Sequence, residues 1–213
     1  MRIENSNICL LIGSSKEVSS TSAVLGEIFT NILKQKNANI HTVYIKSLED
    51  VNNSSAFDQV LSSDLIVLST PLYVDSLPAP VILAMDNIKE YREITNFKEI
   101  KNLFFGIVNS GFPEPDNCTV ALKNLEEFAA ETGFIFAGSI PVGGGAIIAK
   151  AGIKRLESSK AISDIGLYFN QIINEIIEKD IASESLLLSI ATSIIPDHMQ
   201  LVMYHHINRM CAT

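Results

Sequence analysis

Cysteine is scarce in this chain of 213 residues, and Cys9, Cys118 and Cys211 are too scattered for a disulfide framework or a Cys-rich metal site. That usage fits a reducing, cytoplasmic setting. Cations are outnumbered, 16 Lys and Arg against 24 Asp and Glu, and they form no cluster. A formal net charge of −8 argues against non-specific nucleic-acid binding, which needs cations for the phosphates. Long hydrophobic runs are missing as well. The most apolar stretch, residues 186–195, is broken by Ser189, Thr192 and Ser193 and is too short to span a bilayer. Met1 to Asn7 is polar and leads straight into an apolar segment, unlike a signal peptide. His205-His206 is the only histidine pair and sits in no recognisable ligand set, so no metal site is expected.

Several chemistries also lack their motifs. Cys9 is followed six positions on by Ser15, where a cysteine phosphatase needs Arg. No paired acids follow the first apolar run, as a phosphoacceptor receiver requires. There is no Gly-Lys-Ser/Thr loop and no Gly-x-Ser-x-Gly elbow. Cys118 falls near an expected helix start with no base marked beside it.

What the chain has is apolar substance: 47% hydrophobic and 19% charged residues are enough for a sizeable core in one domain. Its organising stretch begins with Ile8-Cys9-Leu10-Leu11-Ile12, an apolar run suited to a strand buried on both faces. Gly13 permits a turn, a hydroxyl-rich loop follows, and Ser20 to Ser22 offer N-caps for a helix over residues 21–36. A loop ending on a helix N-terminus favours an anion, and Ser14, Ser19, Ser20, Thr21, Ser22 and Lys16 supply donors. An ordinary capped loop has the same composition, so this loop alone leaves the choice open.

The pattern then predicts strands over 40–45, 65–68, 102–108 and 134–140, alternating with helices over 56–61, 80–94, 118–132 and 153–179. Ser54-Ser55 and Asp116 or Asn117 are the expected caps, and Gly133 the expected C′ residue. Helical segments are also expected over 183–195 and after Pro196. Five strands alternating with helices predict an α/β fold, an open parallel sheet covered on both faces. Ligands bind such sheets at the carboxyl ends of strands. The loops leaving the first, third and fourth strands are each rich in small, polar or proline residues.

Two of those loops carry a resemblance. Gly13-Ser14-Ser15-Lys16 with Ser19, Ser20 and Thr21 resembles the phosphate loop of the flavodoxin-like NAD(P)H-dependent FMN reductases and multimeric flavodoxins. Pro71-Leu72-Tyr73-Val74-Asp75-Ser76-Leu77-Pro78 is similar to that family's Pro-x-Tyr loop. Ser15, Lys16 and Ser20 depart from the usual proline, arginine and asparagine. The family's iron–sulfur branch is excluded, because it needs four clustered cysteines.

The resemblance implies a flavodoxin-like FMN-binding domain over residues 1–180 and a helical C-terminal extension over 181–213. It assigns Ser14, Lys16, Ser19, Ser20, Thr21 and Ser22 to the FMN phosphate. Pro71, Leu72, Tyr73, Val74 and Asp75 would border the isoalloxazine, and Asn109, Ser110, Gly111 and Phe112 its pyrimidine side. By residue type alone, Tyr73 also suits a half-buried core position, and Asn109-Ser110-Gly111 a plain turn. Gly143-Gly144-Gly145 is left outside the site. The implied activity is hydride transfer from NADH or NADPH, a transient co-substrate, through FMN to a small acceptor such as a quinone, an azo or nitro compound, or a flavin. No catalytic acid or base is implied. The alternative is an electron carrier, or a binding module that has lost FMN. The absence of Trp weighs against an aromatic clamp around the ring, as a carrier would use. Leu186, Leu187, Leu188, Ile190, Ile194 and Ile195 need cover, in a homodimer interface or against the chain's own sheet.

Overall fold

A computed structural model describes residues 2–145 and 160–191. Its sheet has β1 (Asn7–Ile12), β2 (Asn39–Tyr44), β3 (Leu65–Pro71), β4 (Leu103–Asn109) and β5 (Ile135–Val142), all parallel, in the order β2-β1-β3-β4-β5. Around it lie α1 (Thr21–Gln35), α2 (Ser54–Leu61), α3 (Ala79–Ile94), α4 (Thr119–Thr132), α5 (Lys160–Lys179) and α6 (Glu184–Ala191). This is the flavodoxin-like α/β architecture that the sequence predicts.

Alternation along each strand divides the core in two. Ile8, Leu10 and Ile12 of β1 join Val67, Phe105 and Ile107 on one face, under Phe29 of α1 and Phe169 of α5. Cys9 and Leu11 join Ile66, Leu68 and Phe104 on the other, under Phe57 of α2, Ile88 of α3 and Leu125 of α4. Burial on both faces is why the strands read as unbroken apolar runs. Phe29 stacks on Phe105 with centroids 5.0 Å apart and meets Phe169 edge-on at 5.2 Å, tying α1, β4 and α5 together.

Element ends differ from the sequence reading in places. β3 continues through Ser69 and Thr70 to Pro71, because those buried hydroxyls find acceptors inside, such as Ser22 O for Ser69 Oγ. β5 continues through Pro141, which an edge strand tolerates since one side makes no ladder bonds. Asn53, not Ser54 or Ser55, stands at the N-cap of α2. Pro115 opens a 3₁₀ turn over Pro115–Cys118, so α4 starts at Thr119 and Asp116 and Asn117 lie inside that turn. Gly133 is the left-handed residue closing α4, at φ 77°.

Beyond α5 the chain returns to the sheet. Ala182 N–H donates to Ala137 O at 2.9 Å, placing residues 181–183 against the free edge of β5. Ala182 and Ile190 are buried in the α1–α5 side of the core. Glu175 of α5 accepts from Ser183 N–H at 2.7 Å and from its hydroxyl at 2.8 Å, capping the start of α6. The expected helical residues 153–159, residues 192–195 and the segment after Pro196 lie outside the described residues.

Candidate cofactor-binding cleft

From β1 the chain crosses to β2 on one side, and from β3 to β4 on the other, so a crevice opens between the carboxyl ends of β1 and β3. A cleft of about 360 Å³ occupies that position. The loops after β1, β3, β4 and β5 wall it.

The first loop leaves β1 pressed against β3. A Cβ on Gly13 would stand 2.7 Å from Thr70 Cβ, so only glycine fits there. A 3₁₀ turn over Glu17–Ser19, with Glu17 left-handed at φ 46°, swings the chain back to α1. Ser20 caps α1: its Oγ accepts from Ala23 N–H at 3.0 Å and donates to Glu17 O at 2.7 Å. Ser19 donates to Lys16 O at 2.9 Å, Thr21 to Gly145 O at 3.0 Å and Ser22 to Asn109 Oδ1 at 2.7 Å. Ser14, Lys16, Ser19, Ser20, Thr21 and Ser22 all line the cleft, yet the hydroxyl protons of the last four go to protein acceptors. The groups left for an anion are the Lys16 ammonium, the Ser14 hydroxyl and the amides of Thr21 and Ser22, in a first helical turn that supplies them no acceptor. They stand at the positive end of the α1 dipole, and Lys16 is the one charged side chain among the lining residues.

The second wall is Pro71, Leu72 and Tyr73. Leu72 N–H donates to Asn109 O at 2.8 Å, which holds this loop to the end of β4. Tyr73 and Ser76 then exchange backbone hydrogen bonds of 2.9 and 3.1 Å around Val74 and Asp75, both left-handed at φ 49° and 58°. That tight turn carries Val74 away from the protein, 98% exposed, and neither Val74 nor Asp75 lines the cleft. Tyr73 is half exposed on the cleft wall and is not a core phenol.

On the third side Asn109 and Gly111 line the cleft while Ser110 and Phe112 do not. Ser110 is turned inward: its N–H donates to Val142 O at 2.9 Å and its Oγ accepts from Phe112 N–H at 3.1 Å. Phe112 stands half exposed beyond it. The glycine triplet left aside in the sequence closes the fourth side. Gly145 lines the cleft and its N–H donates to Ser110 O at 2.7 Å, while Gly144 N–H donates to Phe112 O at 2.8 Å. A Cβ on Gly143 would fall 2.1 Å from Pro113 O. Its position directly after a strand's carboxyl end was the available signal.

Neither described cysteine is placed as a thiolate at the cleft. Cys118 is buried, and its thiol is pushed up to about 12 by that burial, with Asp75 adding to the effect. Burial likewise raises the Cys9 thiol. Among the described residues no group of His, Cys, Asp and Glu is placed to hold a metal ion, and no helix is long and apolar enough to cross a membrane.

No family model matches the chain, and no curated protein matches it in sequence. Solved structures do match in fold. An NADH:FMN oxidoreductase in its apo form is 18% identical, with a TM-score of 0.61 over 86% of this chain and 94% of that one. The Trp repressor binding protein from Bacillus subtilis is 16% identical, with a TM-score of 0.53 over 72% of this chain and 99% of that one. An azoreductase from Bacillus anthracis is 11% identical, with a TM-score of 0.52 over 78% of this chain and 99% of that one.

Proposed function

We propose that this chain is an FMN-dependent NAD(P)H oxidoreductase passing a hydride through bound FMN to a small acceptor. The observation that carries the reading is one cleft at the β1/β3 crevice with an anion-accepting end at α1 and an apolar wall at Leu72 and Tyr73. The residues fit the group. Lys16, Ser14 and the amides of Thr21 and Ser22 would hold the phosphate, with Pro71, Leu72 and Tyr73 along the ring and Asn109 and Gly111 at its polar edge. Bound FMN supplies the hydride chemistry. Lys16 neutralises phosphate charge, Leu72 and Tyr73 exclude water from one face, and the hydrogen-bonded loops hold that arrangement before any ligand arrives. The likeness in fold to an NADH:FMN oxidoreductase and an azoreductase supports the same reading. We assign the protein to the cytoplasm and propose a homodimer to which residues 181–213 contribute.

FMN titration of the purified protein, followed by stopped-flow mixing with NADH and NADPH, tests this. Saturable flavin binding and a concentration-dependent bleach with either nucleotide are expected; a protein that binds no flavin, or whose flavin neither nucleotide bleaches, overturns it. The internal use of four loop hydroxyls supports a second reading, a flavodoxin-like module without FMN. Absence of flavin binding in the same titration selects that module, and flavin that binds but does not bleach selects the carrier.

A further inference from the structure

Asn109 is 7% exposed at the carboxyl end of β4, and its carboxamide is only half used. Its Oδ1 accepts the Ser22 hydroxyl at 2.7 Å. Among the described residues its Nδ2 has no hydrogen-bond partner, and it stays accessible from the cleft beside Gly145, where a Cβ would stand 3.1 Å from it. A carboxamide held nine-tenths buried with its donor open only toward a cleft marks a place where a ligand's acceptor atom can be met. The orientation of that donor is fixed from behind. Ser22 is 1% exposed, and its carbonyl accepts the hydroxyl of the equally buried Ser69 at 2.7 Å. One hydrogen-bonded chain therefore runs from β3 through the first turn of α1 to β4 and ends in a free N–H. The Ser22 hydroxyl proton lies inside this chain and is not offered to an anion.

Resting on the flavin reading above, we infer that Ser22 is a positioning residue and not a phosphate ligand: it holds the Asn109 carboxamide so that Nδ2 donates to an acceptor atom on the ligand's heterocyclic edge. The phosphate then depends on Lys16, Ser14 and the first-turn amides alone.

Riboflavin has the ring of FMN without the phosphate, so the ratio of the two affinities isolates the phosphate contribution. Affinities of the full chain for FMN and riboflavin, measured by fluorescence quenching, test the inference. Lys16→Met should lower FMN affinity and leave riboflavin alone, which calibrates the ratio. Ser22→Ala should weaken both flavins by the same factor, about threefold to tenfold, leaving the ratio unchanged. Asn109→Asp keeps the acceptor for Ser22 and replaces the free donor, so it should weaken both flavins further. It should also lower the midpoint potential of the bound flavin, because a carboxylate opposes the charge gained on reduction. The potential shift stands as evidence if Ser22→Ala does not fold. A Ser22→Ala protein that loses FMN affinity alone, or neither affinity, overturns the inference and leaves the flavin reading intact; so does an Asn109→Asp protein with unchanged affinities and potential. Wild-type protein that binds neither flavin overturns both.

Discussion

A methyl group on Gly13 would meet Thr70 at 2.7 Å in the crowded gap between β1 and β3. Gly13→Ala is therefore expected to destabilise the fold by about 1–3 kcal/mol, read as a lower urea midpoint at unchanged slope. Ser20 makes a different contribution from a neighbouring position. Its Oγ serves Ala23 N–H and Glu17 O, so its work is capping, although the resemblance assigns it to phosphate. Ser20→Ala should cost about 0.5–2 kcal/mol of stability by calorimetry while FMN affinity changes little. Lys16 has the opposite profile, exposed on the surface with its charge toward the cleft. Lys16→Met should leave stability unchanged and weaken FMN about tenfold, with the loss shrinking as salt rises.

At the scale of elements, the turn Tyr73–Ser76 holds a β-branched residue in a conformation that suits asparagine or glycine. Val74 touches almost nothing, so Val74→Asn removes the backbone penalty without opening a cavity and should add about 1 kcal/mol of stability by thermal unfolding. One carboxylate helps to hold the join between α5 and α6. Hydrogen bonds from Ser183 and then Lys179 hold the Glu175 carboxyl down at about 2. The pKa is depressed on folding, so the contribution is present above the ordinary carboxylate range and lost as pH falls toward about 2. Glu175→Gln should lower the melting temperature at neutral pH, and the gap to wild type should close on acidification. A gap that stays constant from neutral to acid pH would show that the charge on Glu175 plays no part.

At the scale of the whole molecule, the described residues of α5, α6 and the segment between them include exposed apolar side chains. Leu167, Ile181 and Leu188 are at least half exposed on α5, the connector and α6, although Ile190 and Ala182 are buried against the sheet. The proposed homodimer would cover part of that surface, and light scattering at micromolar concentration should give twice the chain mass. Leu188→Glu should shift the mass toward the monomer with the far-UV spectrum kept. A monomeric wild type removes the proposal.

Local pattern was enough for the sheet and most of its helices. Ile8 to Ile12, Leu65 to Leu68 and Asn102 to Val108 are apolar runs that only a doubly covered strand explains, and hydroxyl, glycine and proline punctuation marks the turns between them. Three of the four loops that meet at the cleft were legible for the same reason, since a parallel sheet brings alternate loops to one end whatever their side chains; the loop after β5, with Gly145, was not. Side-chain assignments within those loops were not legible. Sequence shows that Ser20, Thr21 and Ser22 are hydroxyls; only packing across β3, β4 and β5 decides whether each hydroxyl faces solvent, a ligand or a carbonyl distant in the chain. Thr21 and Gly145 are 124 positions apart, and Ser22 and Asn109 are 87 apart. A hydrogen bond between such residues exists only once the strands are in register, and it is this long-range pairing that fixes where each donor points.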